Sequence, residues 1–131
     1  MRLLLDTHVV IRWLSDIKRL SREQIRAIRQ AERRGEPVAL CAVTLVEIVN
    51  LLNERRPRLD ANIEDIFEQL EENPLFRILP ITIPIAAETR HLSILRDPAD
   101  RTIVATARMH RLRLLTSDQR IIASKLVSFI D

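Results

Sequence analysis

Short apolar runs alternate along this chain with longer stretches of helical spacing. The runs Arg2 to Leu5, Val38 to Val43, Phe76 to Ile81, Leu112 to Thr116 and Val127 to Ile130 are four to six residues long, the length of strands buried on both faces. Between them, Asp60 to Glu72 places Ile63, Ile66, Phe67 and Leu70 at i, i+3, i+4 and i+7 behind Asp60 as cap, which predicts an amphipathic helix. Ser21 with Gln24 forms a capping box for another helix that buries Ile25, Ile28 and Ala31 and stops at Gly35. Further helices fit Thr7 to Leu14, Leu45 to Asn53, Ile85 to Leu95, Pro98 to Arg111 and Gln119 to Ser124, the fourth of these with proline at its first position. Strands alternating with helices predict an α/β domain, a parallel sheet covered on both faces, running as one unit over residues 1–131.

Composition narrows the classes of function. With 131 residues, 47% hydrophobic and 30% charged, the chain has material for one core and fits neither a disordered nor a fibrous protein. No apolar stretch approaches the ~20 residues of a membrane span, and the start of the chain is broken by Asp6, Arg12 and Asp16, so no signal peptide is expected and the cytoplasm is the expected compartment. The single cysteine, Cys41, lies in an apolar run and reads as a buried thiol. Gly35 is the only glycine, which excludes a P-loop and a dinucleotide-binding fingerprint, and no Cys/His spacing resembles a zinc site. The net charge of +3 is carried almost wholly by arginine, a weak pointer to phosphate-bearing partners.

The informative chemistry is acidic. Asp6 ends the first strand, Glu47 sits within apolar Val43 to Val49, Asp97 and Asp100 bracket a helix start, and Asp118 follows the strand ending at Thr116. Open parallel sheets bind ligands beyond the carboxyl ends of their strands, so these acids can converge there. Converging carboxylates repel by roughly 1 to 4 kcal/mol per close pair. A hard divalent cation such as Mg²⁺ or Mn²⁺ offsets that cost, and such a site hydrolyses phosphodiesters. Each acid also has a structural alternative. Asp97 before Pro98 is a natural N-cap, Asp100 is favoured by the helix dipole, Asp118 can cap the helix from Gln119, and Asp6 the one from Thr7.

These blocks resemble a known family. LLLDTHVVIRWL from Leu3, TLVEI around Glu47, DPADRTIVATA from Asp97 and LLTSDQRI from Leu114 are similar, in order and spacing, to the successive blocks of PIN-domain toxins of the VapC type. The resemblance implies a three-layer α/β/α sandwich with a central, mostly parallel sheet and a Mg²⁺ or Mn²⁺ site. The implied activity is endoribonuclease cleavage leaving 5′-phosphate and 3′-hydroxyl ends on RNA, with tRNA and rRNA as classes to examine. Asp6, Glu47, Asp100 and Asp118 take the acidic positions. Asp6 and Asp100 are expected to hold the principal metal, Asp118 to complete its shell partly through water, and Glu47 to orient water on the metal or a second ion. Thr116 matches a hydroxyl near the site, and Thr7 is expected to donate to a carboxylate or to the substrate. Asp97 is either a site residue or a helix cap. A VapB-like antitoxin and a homodimer are the implied partners.

Basic residues offer further candidates. Arg22, Arg26, Arg29 and Arg33 fall on one helical stripe, as an RNA-backbone track or as a solvated face paired with Glu23 and Glu32. Arg101, next to Asp100, can bind the scissile phosphate or pair with a neighbouring acid. His8, His91 and His110 read as packing or surface residues, and Trp13 as core or interface. Two other functions remain compatible with the acids: a phosphotransfer domain with an acceptor aspartate, and a non-catalytic module whose carboxylates receive a partner's arginines.

Overall fold

The apolar runs form strands β1 (Leu3–Leu5), β2 (Val38–Cys41), β3 (Phe76–Leu79), β4 (Arg113–Leu115) and β5 (Phe129–Ile130). The computed structural model describes residues 1–53 and 62–131. All strands are parallel, in the order β3-β2-β1-β4-β5, with Leu4 opposite Ala39 on one side and Leu114 on the other. Sequence order reverses on either side of β1, so β1 and β4 flank a switch point where the strand ends open into a crevice.

Alternation within the strands sorts the core into two layers. Leu3, Leu5, Val38, Leu40, Phe76 and Leu115 face the helices α1 (Thr7–Ser15), α2 (Arg22–Arg33), α3 (Ala42–Asn53) and α4 (Ile63–Glu72), which contribute Val9, Val10, Ile28, Ile48, Ile66 and Leu70. Leu4, Ala39, Cys41, Leu79 and Leu114 face the other way. There they meet α5 (Ile83–Glu88), α6 (Pro98–His110) and α7 (Gln119–Ser124) through Ile85, Ile103, Val104, Ala107 and Ile121. Because the Cβ direction alternates with a period of two, the fully apolar and buried β1 and β2 are what the middle of a sheet covered on both faces requires, while Arg77 in β3 and Arg113 in β4 are exposed. This is the expected three-layer sandwich.

The helix ends follow local chemistry. Ser21 and Gln24 form the capping box of α2, and that helix closes at Gly35, whose φ of +67° suits glycine, with Glu36 N–H donating to Ala31 O. Arg111 and Lys125 take the same left-handed conformation after α6 and α7 without being glycine. Several boundaries differ from expectation: the strand expected over Val38 to Val43 ends at Cys41, the helix expected from Leu45 begins at Ala42, and the strand expected over Phe76 to Ile81 ends at Leu79. The helix expected from Asp60 begins at Ile63 under Asn62, whose side chain accepts from Glu64 N and Asp65 N; Asp60 itself lies outside the described residues. The helix expected over Ile85 to Leu95 starts earlier, under Thr82, and after Glu88 gives way to a 3₁₀ turn over Thr89–His91. Trp13 packs at the edge of the first layer, Cys41 is buried, and no helix among the described residues is long and apolar enough to cross a membrane.

Candidate active site

β1 ends directly in α1, so Asp6 is both the last strand-edge position and the N-cap of that helix. It is only 6% exposed. One carboxylate oxygen accepts from Thr7 N–H at 2.8 Å, and the other accepts from the Thr116 hydroxyl at 2.7 Å. Thr116 in turn accepts from Asp118 N–H at 3.1 Å, which ties the end of β4 to the end of β1. Burial still pushes the Asp6 carboxyl above its ordinary range, and the hydrogen bonds from Thr116 and Thr7 only offset part of that rise.

Glu47 reaches the same cleft from α3. The Thr7 hydroxyl donates to its Oε1 at 2.5 Å. Thr7 Oγ1 also lies 3.0 Å from the buried Thr44 hydroxyl. A hydroxyl has one proton, and an ionised Glu47 can only accept it. Thr44 is therefore the donor to Thr7, in a chain running Thr44 to Thr7 to Glu47. Burial is the first cause of the raised Glu47 pKa; the Thr7 bond opposes it, and Asp6 and Asp97 add to it.

Asp100 completes the group from the first turn of α6. No side chain or backbone group among the described residues donates to its carboxylate. Burial, followed by the charges of Asp97, Asp118, Asp6 and Glu47, pushes its pKa up to about 7. The five acids come from four segments of the chain and lie near enough at the carboxyl end of the sheet for the charges of four of them to act on the fifth. Asp97 and Asp118 are helix caps as well. Asp97 Oδ1 accepts from Ala99 N and Asp100 N, and Asp118 Oδ1 accepts from Arg120 N. The cap role of Asp97 is therefore real, and its charge acts on Asp100.

The donor set is all hard oxygen, the kind Mg²⁺ and Mn²⁺ select. Among the described residues no three acidic side chains stand close enough to cage an ion. That matches a cation keeping much of its water shell, bound through one or two carboxylates, better than one stripped by three.

Other candidates fall elsewhere. Arg101 is committed to backbone carbonyls: its Nε donates to Leu95 O and its Nη2 to Ser93 O. It braces the turn ahead of Asp97. Arg22, Arg26, Arg29 and Arg33 are exposed along α2, roughly opposite buried Gln24, Ile28 and Ala31. His8 is exposed, and its charge partly counters the rise at Asp6 and Glu47. Two site residues escaped the sequence reading. Thr44 lies one helical turn before Glu47, and that i, i+3 spacing was the available signal. Arg120, two residues after Asp118, holds its Nε 3.8 Å from the Asp118 carboxylate.

Comparisons with known proteins agree with this geometry. The family model for the PIN domain matches residues 3–125. Ribonuclease VapC22 of Mycobacterium tuberculosis is 36% identical over 120 residues, spanning 90% of this chain and 88% of that protein. The solved FitAcB of Neisseria gonorrhoeae is 26% identical with a TM-score of 0.69, covering 98% of this chain and 96% of that one. A toxin–antitoxin complex from Klebsiella pneumoniae is similar over the same shares of each chain, at 21% identity and a TM-score of 0.65, and speaks for the fold alone.

Proposed function

The chain belongs to the PIN domain family, and from that premise we propose that it is a divalent-metal-dependent endoribonuclease, the toxin of a toxin–antitoxin pair. The observation that carries the reading is the gathering of Asp6, Glu47, Asp100 and Asp118 at one end of a parallel sheet, with Asp100 pushed up to about 7 by burial and by its neighbours. Such repulsion costs stability, and a bound cation would offset that cost. A relative that is a ribonuclease supports the substrate. A VapB-like antitoxin and a homodimer belong to the same proposal.

Asp6 and Asp100 would hold Mg²⁺ or Mn²⁺, with Asp118 reached through water. When bound, the ion supplies polarisation of the phosphodiester and an acidified water. The chain's own residues supply orientation. Thr116 and Thr7 N–H fix Asp6 so that its charge points out of the sheet without rotating. Glu47, aimed by Thr7, orients the attacking water, and its raised pKa suits it to take up the proton. Water oxygen bonds to phosphorus and the bond to the 3′ oxygen breaks. The products are a 5′-phosphate and a 3′-hydroxyl. The exposed arginines of α2 offer phosphate contacts away from the reacting bond.

The test is cleavage of end-labelled tRNA and structured rRNA fragments by antitoxin-free protein, with Mg²⁺ or Mn²⁺, with EDTA, and with Asp100→Asn. Discrete cuts are expected with either metal. EDTA or the substitution should reduce them about 100-fold or more, the equivalent of roughly 3 kcal/mol of lost transition-state stabilisation. Folded protein that leaves all of these RNAs intact in every metal overturns the nuclease reading in favour of a binding module.

A further inference from the structure

Next to Asp100 a cleft of about 310 Å³ opens between the turn before α6 and the outer side of α7. Its walls differ in chemistry. Ile94, Leu95 and Ala123 contribute apolar surface, Arg96 and Arg120 bring positive charge, and Asp97 and Asp100 bring the opposite sign, Asp100 at the end toward the site. Ile94 is 72% exposed, a β-branched apolar side chain held in water at the rim of a charged centre. The side chain of Arg120 is also largely exposed, and its contact with Asp118, at 3.8 Å, is at the limit of an ion pair. Arg120 is therefore available to a stronger anion.

We propose that this cleft is a nucleotide subsite. It takes the one nucleotide flanking the scissile bond, with its base against Ile94, Leu95 and Ala123 and its phosphate on Arg120. The inference rests on the ribonuclease reading and adds to it the place where sequence preference is set. Three physical points carry it. A polyanion entering a cleft of carboxylates meets repulsion at every step, and arginine, with its planar fork, is the side chain best suited to offset it beside the acids. The volume is of the size that small ligands occupy. A single-stranded base presents a flat apolar face whose burial needs an apolar wall, and this chain has no tyrosine and few aromatics to stack it on, so an aliphatic wall takes that part.

The experiment uses the whole chain and two readouts on wild type, Arg120→Gln, Arg120→Lys and Ala123→Phe. Ala123 and Arg120 are exposed, so the variants should fold, and their melting temperatures verify it. The first readout is anisotropy of a fluorescent single-stranded RNA hexamer pool at two salt concentrations. Arg120→Gln should weaken binding about tenfold and flatten the salt slope by about 0.7, the share of one phosphate contact on a single strand, while Arg120→Lys recovers part of both. The second readout is sequencing of the cut sites in an RNA of randomised sequence, where Ala123→Phe should change the preference at a single position beside the cut. Variants that keep wild-type affinity, salt slope and preference overturn the subsite while leaving the nuclease reading in place. Wild type that cuts nothing overturns the nuclease reading and with it a subsite beside a scissile bond, and variants that still shift binding then leave the cleft as an RNA-binding surface only. If RNA behaviour is unchanged and binding of an antitoxin tail peptide is weakened instead, the cleft is a protein-docking surface and the proposal falls.

Discussion

Asp6 and Asp100 face the same cleft from opposite sides, and the fold treats them in opposite ways. Asp6 has a donor on each carboxylate oxygen, from Thr7 N–H and from Thr116. Its orientation is fixed before any ligand arrives. Asp100 has no such donor among the described residues and is surrounded by charge of its own sign. Fixed dipoles hold one acid in place, while the other is left with an electrostatic debt that only a proton or a cation can settle. The difference teaches that a site of this kind divides its labour. One carboxylate sets geometry, and the other links the site's occupancy to stability and pH.

The largest expected effect follows from that linkage. Asp100 titrates near 7 in the folded chain against an ordinary 3.8, so the folded state binds the proton more tightly. The stabilisation is fully present below the ordinary value and is lost as pH rises through about 7; Asp6 and Glu47, also raised, act in the same direction. Metal-free protein should melt lower at pH 8 than at pH 5.5. Between those two pH values only the part of the shift from 5.5 to about 7 is crossed, so Asp100 alone contributes about 1 kcal/mol after halving for partial exposure, or about 3 °C, and Asp6 and Glu47 add to it. Asp100→Asn should raise the metal-free melting temperature at pH 8 and flatten the profile. Millimolar Mg²⁺ should restore wild type more at pH 8 than at pH 5.5, because the proton and the ion compete. A thermal profile that stays flat in wild type would mean the acids do not share a cleft.

Across the cleft the sign reverses. Thr116→Val has nearly the same shape, but it strips one Asp6 oxygen of its donor and Asp118 N–H of its acceptor. The expected cost is about 1 to 2 kcal/mol by chemical denaturation, with or without metal. Stabilisation by this substitution would show that Asp6 is as strained as Asp100 and would erase the contrast.

Much of this was legible in the sequence, for reasons that differ by element. The strands and the two-faced burial followed from apolar runs too short and too uniform for amphipathic helices, and the capping box at Ser21 fixed the start of α2 because both halves of it lie within four residues. Asp60 misled because an aspartate before an apolar stretch satisfies the same rule as Asn62, and only the path of the chain decides between them. The break after Glu88 has no breaker residue to announce it. At the site, Asp6 and Asp118 stand out by following strands, Glu47 by its apolar surroundings, and Asp97 and Asp100 by bracketing a helix start. What they bond to was not legible, since Thr116 lies 110 residues from Asp6 and Thr44 37 residues from Thr7. Nor did adjacency to Asp100 in the chain show that Arg101 bonds to the carbonyls of Ser93 and Leu95.

The smallest effect sharpens the comparison most, because it acts on geometry without touching charge. If Asp6 and Glu47 share the fixed side of the cleft through Thr7, then Thr44, which contacts no acid, governs the aim of Glu47 by deciding where the Thr7 proton points. Thr44→Val keeps the volume and removes the donor. Thr7 keeps its bond to Glu47 but gains freedom to rotate away from it. The expected loss is about 0.5 to 1 kcal/mol of stability and a fall in kcat of about five-fold at unchanged KM, since substrate binding does not involve this chain of hydroxyls. Thr44→Ser, which restores the hydroxyl and omits the methyl, should recover kcat while remaining less stable than wild type. A purely packing role predicts the reverse order, with valine close to wild type and serine the worse of the two. That order would remove Thr44 from the relay and leave Glu47 positioned by Thr7 alone.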